Sequence, residues 1–163
     1  MMTSAGAKAF ARLQHVGQVD KAGEPYLAHL ERVTFAAERR AQQAQVAGLA
    51  LQVDQVTQAA WLHHVVADTS VTPEELRTTG FAEPVVEMVE LLTKPKGQAS
   101  EEECTARLVQ SGNLGAILIK LSDNEDTAST ECLLHPEDPV PAHYAASMAR
   151  LRKTAAALGY TGP

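Results

Sequence analysis

The chain has 163 residues, 45% of them hydrophobic and 21% charged, which is enough apolar material for one ordinary core. Its net charge of −6 excludes broad electrostatic binding to DNA or RNA, which needs a basic surface, but still allows a small phosphate ligand held by a metal or local lysines. No apolar run approaches the roughly 18 residues of a membrane span, and the opening MMTSAGAKAFARLQH lacks a basic region followed by an apolar stretch, so no secretion signal is expected. Cys104 and Cys132 have no C-x-x-C spacing and read as two free thiols of a reducing, cytoplasmic setting. The expectation is a single domain over residues 1–163.

Taken in chain order, the punctuation is helical. Residues 4–16 are Ala-rich, with Phe10, Leu13 and Val16 at three-residue spacing. GQVDKAGEP follows and reads as a loop, after which Leu27, Leu30, Val33 and Ala37 mark an apolar helical stripe from Pro25. Asp54 can cap a helix running through about Asp68. Thr72, Pro73 and Glu75 have the spacing of an N-cap, a first helical proline and a capping partner. Pro84 opens another short helix, and Ser100 with Glu103 repeats the capping spacing ahead of residues 101–110. GAILIKL, residues 115–121, has the composition of a buried strand, but a lone strand would leave its backbone groups unpaired. It therefore reads as a buried helix running into LSDNEDT. HPEDPVPA, residues 135–142, is a rigid connection before a last helix from about Pro141 to near Gly159. The fold class expected is all-α, a bundle of roughly seven helices.

Chemistry concentrates in AAWLHHVVADTS, residues 59–70. On a continuous helix His63 and His64 would diverge by about 100° and form a wedge able to close on one ion, with Asp68 one turn beyond His64. Taken alone, the pair is either polar residues at the edge of a core or the start of a metal site. Further ligands would have to come from other segments, and His29 and Asp123 stand out. Asp123 follows directly on the apolar ILIKL run, where an unpaired carboxylate is costly. His15, His135 and His143 read as ordinary core or surface histidines.

The order GQVDKAGEPYLAHLERV, WLHHVVADTSVTPEEL, ELLTKPKG, LIKLSDNEDT resembles the small HD-domain phosphohydrolases, in particular the hydrolase domain of the RelA/SpoT guanosine-polyphosphate enzymes. The match spans about residues 8–130, with every motif in order. The resemblance implies an all-α domain that holds one divalent metal through His29, His63, the residue at 64, and Asp123. It also puts Lys21, Tyr26, Lys94, Lys120 and Asn124 on the substrate side, the ligand being a small phosphate compound, in all expectation a nucleotide.

Four departures from the family pattern bear on the chemistry. His64 stands where the family has the Asp of its His-Asp doublet, so the ligand set becomes three imidazoles and one carboxylate. That moves preference from hard Mn²⁺ and Mg²⁺ towards borderline ions, leaving Zn²⁺, Fe²⁺, Co²⁺, Ni²⁺ or Mn²⁺ as the expected cofactor. Ala67-Asp68 replaces Glu-Asp, which removes one carboxylate able to orient or deprotonate water and leaves Asp68 as the catalytic candidate. Asp20 replaces an Arg that meets the base, so an anion would face an anionic guanosine polyphosphate. Thr127 replaces the Asn that closes the last motif, and Glu125 and Asp126 are left as the carboxylates that could compensate for the one missing at Ala67. The expected function is a metal-dependent phosphohydrolase acting on a nucleotide or related small phosphate ester. The alternative is a degenerate relative that serves as a nucleotide-sensing or structural module. A haem or oxygen-binding helical protein is a third reading with little support, because adjacent histidines on one helix cannot serve both axial faces of one haem and no other motif points to it.

Overall fold

Polar caps and apolar stripes divide the chain into helices, and the computed structural model, which describes residues 2–95 and 100–163, arranges them around one buried segment. The last two residues of ELLTKPKG lie outside the described residues. Among the described residues there are nine helical segments: α1 (Ser4–Gln14), α2 (Tyr26–Val46), α3 (Val53–Leu62), α4 (Val65–Asp68), α5 (Pro73–Thr79), α6 (Glu83–Leu92), α7 (Glu101–Ser111), α8 (Leu114–Leu134) and α9 (Ala142–Ala157). No extended strand is present among them, only one isolated bridge between Val19 and Pro25. No helix of the described residues is long and apolar enough to cross a membrane.

The expected caps at Thr72 and Ser100 form, each hydroxyl accepting from the N–H three residues on, at 3.2 and 3.1 Å. Asp54 does not cap. It lies inside the first turn of α3 and accepts from Gln58, while Gln52 occupies the cap position without a side-chain bond. GAILIKL is helical as expected and forms the first third of α8, whose residues from Gly115 to Ile119 are all buried. Being wrapped on several sides explains its strand-like composition. The helix α2 packs on α3 and α8, α3 on α1 and α6, and α8 on α9. A Cβ on Gly115 would fall 2.7 Å from Met88 Sδ and 3.1 Å from Val56 Cγ2, so the missing side chain is what lets α8 approach α3 and α6 so closely.

One expected helix is broken. The run from Asp54 to Asp68 ends at Leu62 and restarts at Val65, with His63 at φ −63°, ψ −19° and His64 at φ −110°, ψ 0°. The cause is a side chain competing for the backbone. His63 Nδ1 donates to the carbonyl of Ala60 at 2.5 Å, which is the acceptor that the N–H of His64 would use in a continuous helix. Because of this break, helical spacing does not govern where the two imidazoles point.

Candidate metal centre

Three segments far apart in sequence converge on one point. His29 comes from the first turn of α2, His63 and His64 from the α3/α4 junction, and Asp123 from the middle of α8 rather than from a helix end. Each of the four offers a ligand atom, and these atoms all lie within 4.8 Å of one another. Asp123 sits at the centre: its Oδ1 is 3.0 Å from His29 Nε2 and 3.6 Å from His63 Nε2, and its Oδ2 is 3.6 Å from His64 Nε2. The His63 and His64 rings lie 4.1 Å apart, centroid to centroid.

The protonation pattern follows from burial and neighbours. Burial alone would lower the His29 value, but hydrogen bonds to Asp123 and Asp126, and their charges, outweigh it and raise it to about 9. His63 is driven the other way, to about 4, by burial first and then by the charge of His64. Its Nδ1–H is committed to Ala60, so Nε2 carries a lone pair, and that buried atom has no hydrogen-bond partner. Burial tends to raise the Asp123 carboxyl, yet His64, His29 and His63 hold it well below its ordinary value. An anionic oxygen, an orphaned imidazole nitrogen and two more imidazoles within one small sphere are a donor set that could hold a metal ion, and the residues present fit one.

Behind His29, Asp126 Oδ2 accepts from Nδ1 at 2.7 Å, and Arg32 holds the same carboxylate through Nε and Nη2 at 2.7 and 3.1 Å. A carboxylate behind an imidazole fixes its tautomer and raises its basicity as a ligand. The sequence reading named Asp126 only as a compensating carboxylate and did not single out Arg32; the signal for both is their i,i+3 spacing from Asp123 and His29. Asp126 is therefore engaged with His29 and does not stand in for the carboxylate missing at Ala67. Glu125 points elsewhere, to Arg40 and Arg152 at 2.5 and 3.3 Å.

The centre opens into a cavity of about 380 Å³ lined by Asp20, Lys21, Tyr26 and Lys120, among others. Lys120 Nζ lies 3.4 Å from Glu101 and 3.8 Å from Asp123. Burial works against its charge, but those two carboxylates raise its value, so it stays an ammonium. Lys21 reaches across the mouth to Glu131 at 2.5 Å. Asn124 borders the cavity, but its amide donates to Ser147 Oγ of α9 at 2.9 Å, which anchors α8 to α9. Lys94 does not join the group; it is exposed, 3.8 Å from Glu101. Asp68 is exposed beyond the four ligands. Burial chiefly, then the charges of Asp68 and Asp123, push the Tyr26 phenol above its usual value, and its ring lies 5.4 Å from that of His29 and 6.0 Å from that of His64. The sequence reading missed Glu101, Glu131 and Tyr144 of the cavity wall, which no local spacing links to the histidines. His15, read as ordinary, is buried against Tyr26, with rings 5.1 Å apart and Nδ1 2.8 Å from Gln18 Oε1.

No family model matches the chain. It is 32% identical over 126 residues to the guanosine-3′,5′-bis(diphosphate) 3′-pyrophosphohydrolase of Aquifex aeolicus (strain VF5), a match covering 74% of this chain and 16% of that protein. The chain thus spans about a sixth of the length of that curated relative. A solved structure described as a metazoan ortholog of SpoT that hydrolyzes ppGpp and plays a role in starvation responses has the same fold. It agrees at a TM-score of 0.63 and 22% identity, over 98% of this chain and 86% of that one.

Proposed function

We propose that this chain, a relative in sequence and fold of the helical guanosine-polyphosphate hydrolases, is a metal-dependent phosphohydrolase acting on a nucleotide or related small phosphate ester. The observation that carries the reading is the buried His63 Nε2, with no partner, beside three other ligand atoms. Leaving such a nitrogen unpaired in a core costs about 1–3 kcal/mol, a cost that a bound cation removes. His29, His63, His64 and Asp123 would hold the ion, a borderline one such as Zn²⁺, Fe²⁺, Co²⁺ or Ni²⁺ before Mn²⁺. When bound, a divalent ion supplies polarisation of a phosphoryl oxygen and acidification of a water.

The chain's own residues then have the following parts. Lys120 places a positive charge beside the ligand carboxylate, where it offsets charge on the phosphoryl group. Asp126 holds the His29 ring in orientation through Nδ1. Asp68 is the base candidate, acting through water because it does not itself line the cavity. Lys21 stays at the mouth, paired with Glu131 at 2.5 Å.

A second reading has its own support. Ala67 is exposed and brings no carboxylate to the centre, which favours a chain that binds metal and nucleotide without turnover. Metal analysis of protein purified without a nickel column, paired with a phosphatase screen over nucleotides, separates the two. Bound metal with phosphate release supports the hydrolase. Bound metal with ligand binding and no release supports the sensing module. No metal at all defeats both.

A further inference from the structure

Resting on the hydrolase reading, we propose that this pocket selects a substrate with a single phosphoryl group and a neutral, donor-rich body, the chemistry of a nucleoside monophosphate, and turns away polyphosphates. Asp20 and Glu131 are the residues that set this preference.

The argument is one of charge and position. Among the described residues lining the cavity, four carboxylates (Asp20, Glu101, Asp123 and Glu131) face two ammonium groups (Lys21 and Lys120). Both ammonium groups are already engaged, Lys21 with Glu131 at 2.5 Å and Lys120 with Glu101 and Asp123 at 3.4 and 3.8 Å. A divalent ion at the histidines would bring this set close to neutrality. It can then serve one phosphoryl group, with Lys120 close by. A second or third phosphate, however, finds no uncommitted cation among those described lining residues. If it took Lys21, it would leave the Glu131 carboxylate bare beside it. Like charges so juxtaposed in a partly dry cleft suppress binding.

Asp20 cannot swing aside. Its Oδ1 accepts from the N–H groups of Ala22 and Glu24 at 2.9 and 3.0 Å, and its own N–H donates to the Glu24 carbonyl at 2.8 Å. The turn therefore fixes a negative charge at the mouth. For a neutral sugar or base the same residues are assets: the carboxylates of Asp20 and Glu131, with the Thr127 hydroxyl, offer acceptors to ribose hydroxyls or amino groups. The volume, about 380 Å³, falls within the range of small-ligand sites.

The test compares GMP, GTP and guanosine 3′,5′-bis(diphosphate) on metal-loaded protein at fixed free metal. It uses the wild type, Glu131→Gln, and Asp20→Lys combined with Glu131→Gln. The wild type is expected to favour GMP in kcat/KM by at least about tenfold. The double variant should raise the polyphosphate values by about tenfold, through KM rather than kcat, with GMP changed less. Raising the ionic strength should narrow the wild-type difference in the same direction. A wild type that prefers a polyphosphate, or a ratio unmoved by the double variant, overturns the inference and leaves the hydrolase reading intact. If nothing is hydrolysed, that reading falls, and calorimetric binding of GMP and GTP to the loaded protein decides this inference alone. Tighter GMP sustains it; equal or tighter GTP, or binding of neither, overturns it.

Discussion

His63 gives the metal-free protein a polar atom that it does not satisfy. An apolar residue of similar volume should therefore be tolerated in the fold while destroying the site. In the presence of a chelator, His63→Leu is expected to melt within a few degrees of the wild type, since the lost bond to Ala60 is offset by relief of the orphaned nitrogen. The variant should show no metal-induced rise in Tm. A large drop in chelator would mean that His63 is a packing residue. His64→Asp is expected to raise Mn²⁺ affinity, because a hard anionic oxygen replaces an imidazole nitrogen, and calorimetry showing no change would count against His64 as a ligand. Adding Ala67→Glu should raise any hydrolytic rate further, by up to the factor of about 10²–10⁴ typical of a positioned base. For His29 the sign runs with its raised value of about 9 against an ordinary 6.5. In metal-free protein its contribution to stability is complete below about 6.5 and is lost as pH rises through about 9. An ion needs the neutral ring, so apparent affinity should climb over the same interval and metal uptake at pH 7 should release a proton. Titration in two buffers of different ionisation heat reads that proton directly, and its absence would contradict the His29–Asp123 pairing.

At the level of the element, α8 carries both the core and the site. Gly115→Val should destabilise the protein by about 1–3 kcal/mol through overpacking, although leaving glycine usually favours a helix. The added carbons meet Met88 and Val56, and urea denaturation would register the change as a lower midpoint at constant slope. The helical character of α8 was legible in the sequence because no partner strand could be found for GAILIKL. The caps at Thr72 and Ser100 were legible because the motif is local. The break between α3 and α4 was not. WLHHVVAD has no Gly or Pro, and what ends the helix is an imidazole taking a carbonyl three residues back. Nor did any periodicity connect His29 to Asp123; only the ordered family motifs did, and these say nothing of Glu131, which the structure brings to the mouth from two turns past Asp123.

For the molecule as a whole, a ligand that binds only the folded chain must stabilise it by mass action. A borderline ion at a hundred times its Kd should add about 2.7 kcal/mol to unfolding, with chelator reversing the gain and the helical circular dichroism of the loaded state unchanged. An ion that leaves the urea midpoint where it was would show that the centre does not bind it. The pairing of His29 with Asp123 spans 94 residues, and it also bears on how the protein is made. As the chain leaves the ribosome, three of the four ligands emerge long before the fourth. Until the α8 segment arrives there is no anionic oxygen for the imidazoles to share and no lid over His63. Synthesis at about 5–20 residues per second leaves that gap open for several seconds, during which loose histidines compete poorly for a scarce ion. An ion at this centre would therefore be acquired only once α8 has joined the other helices.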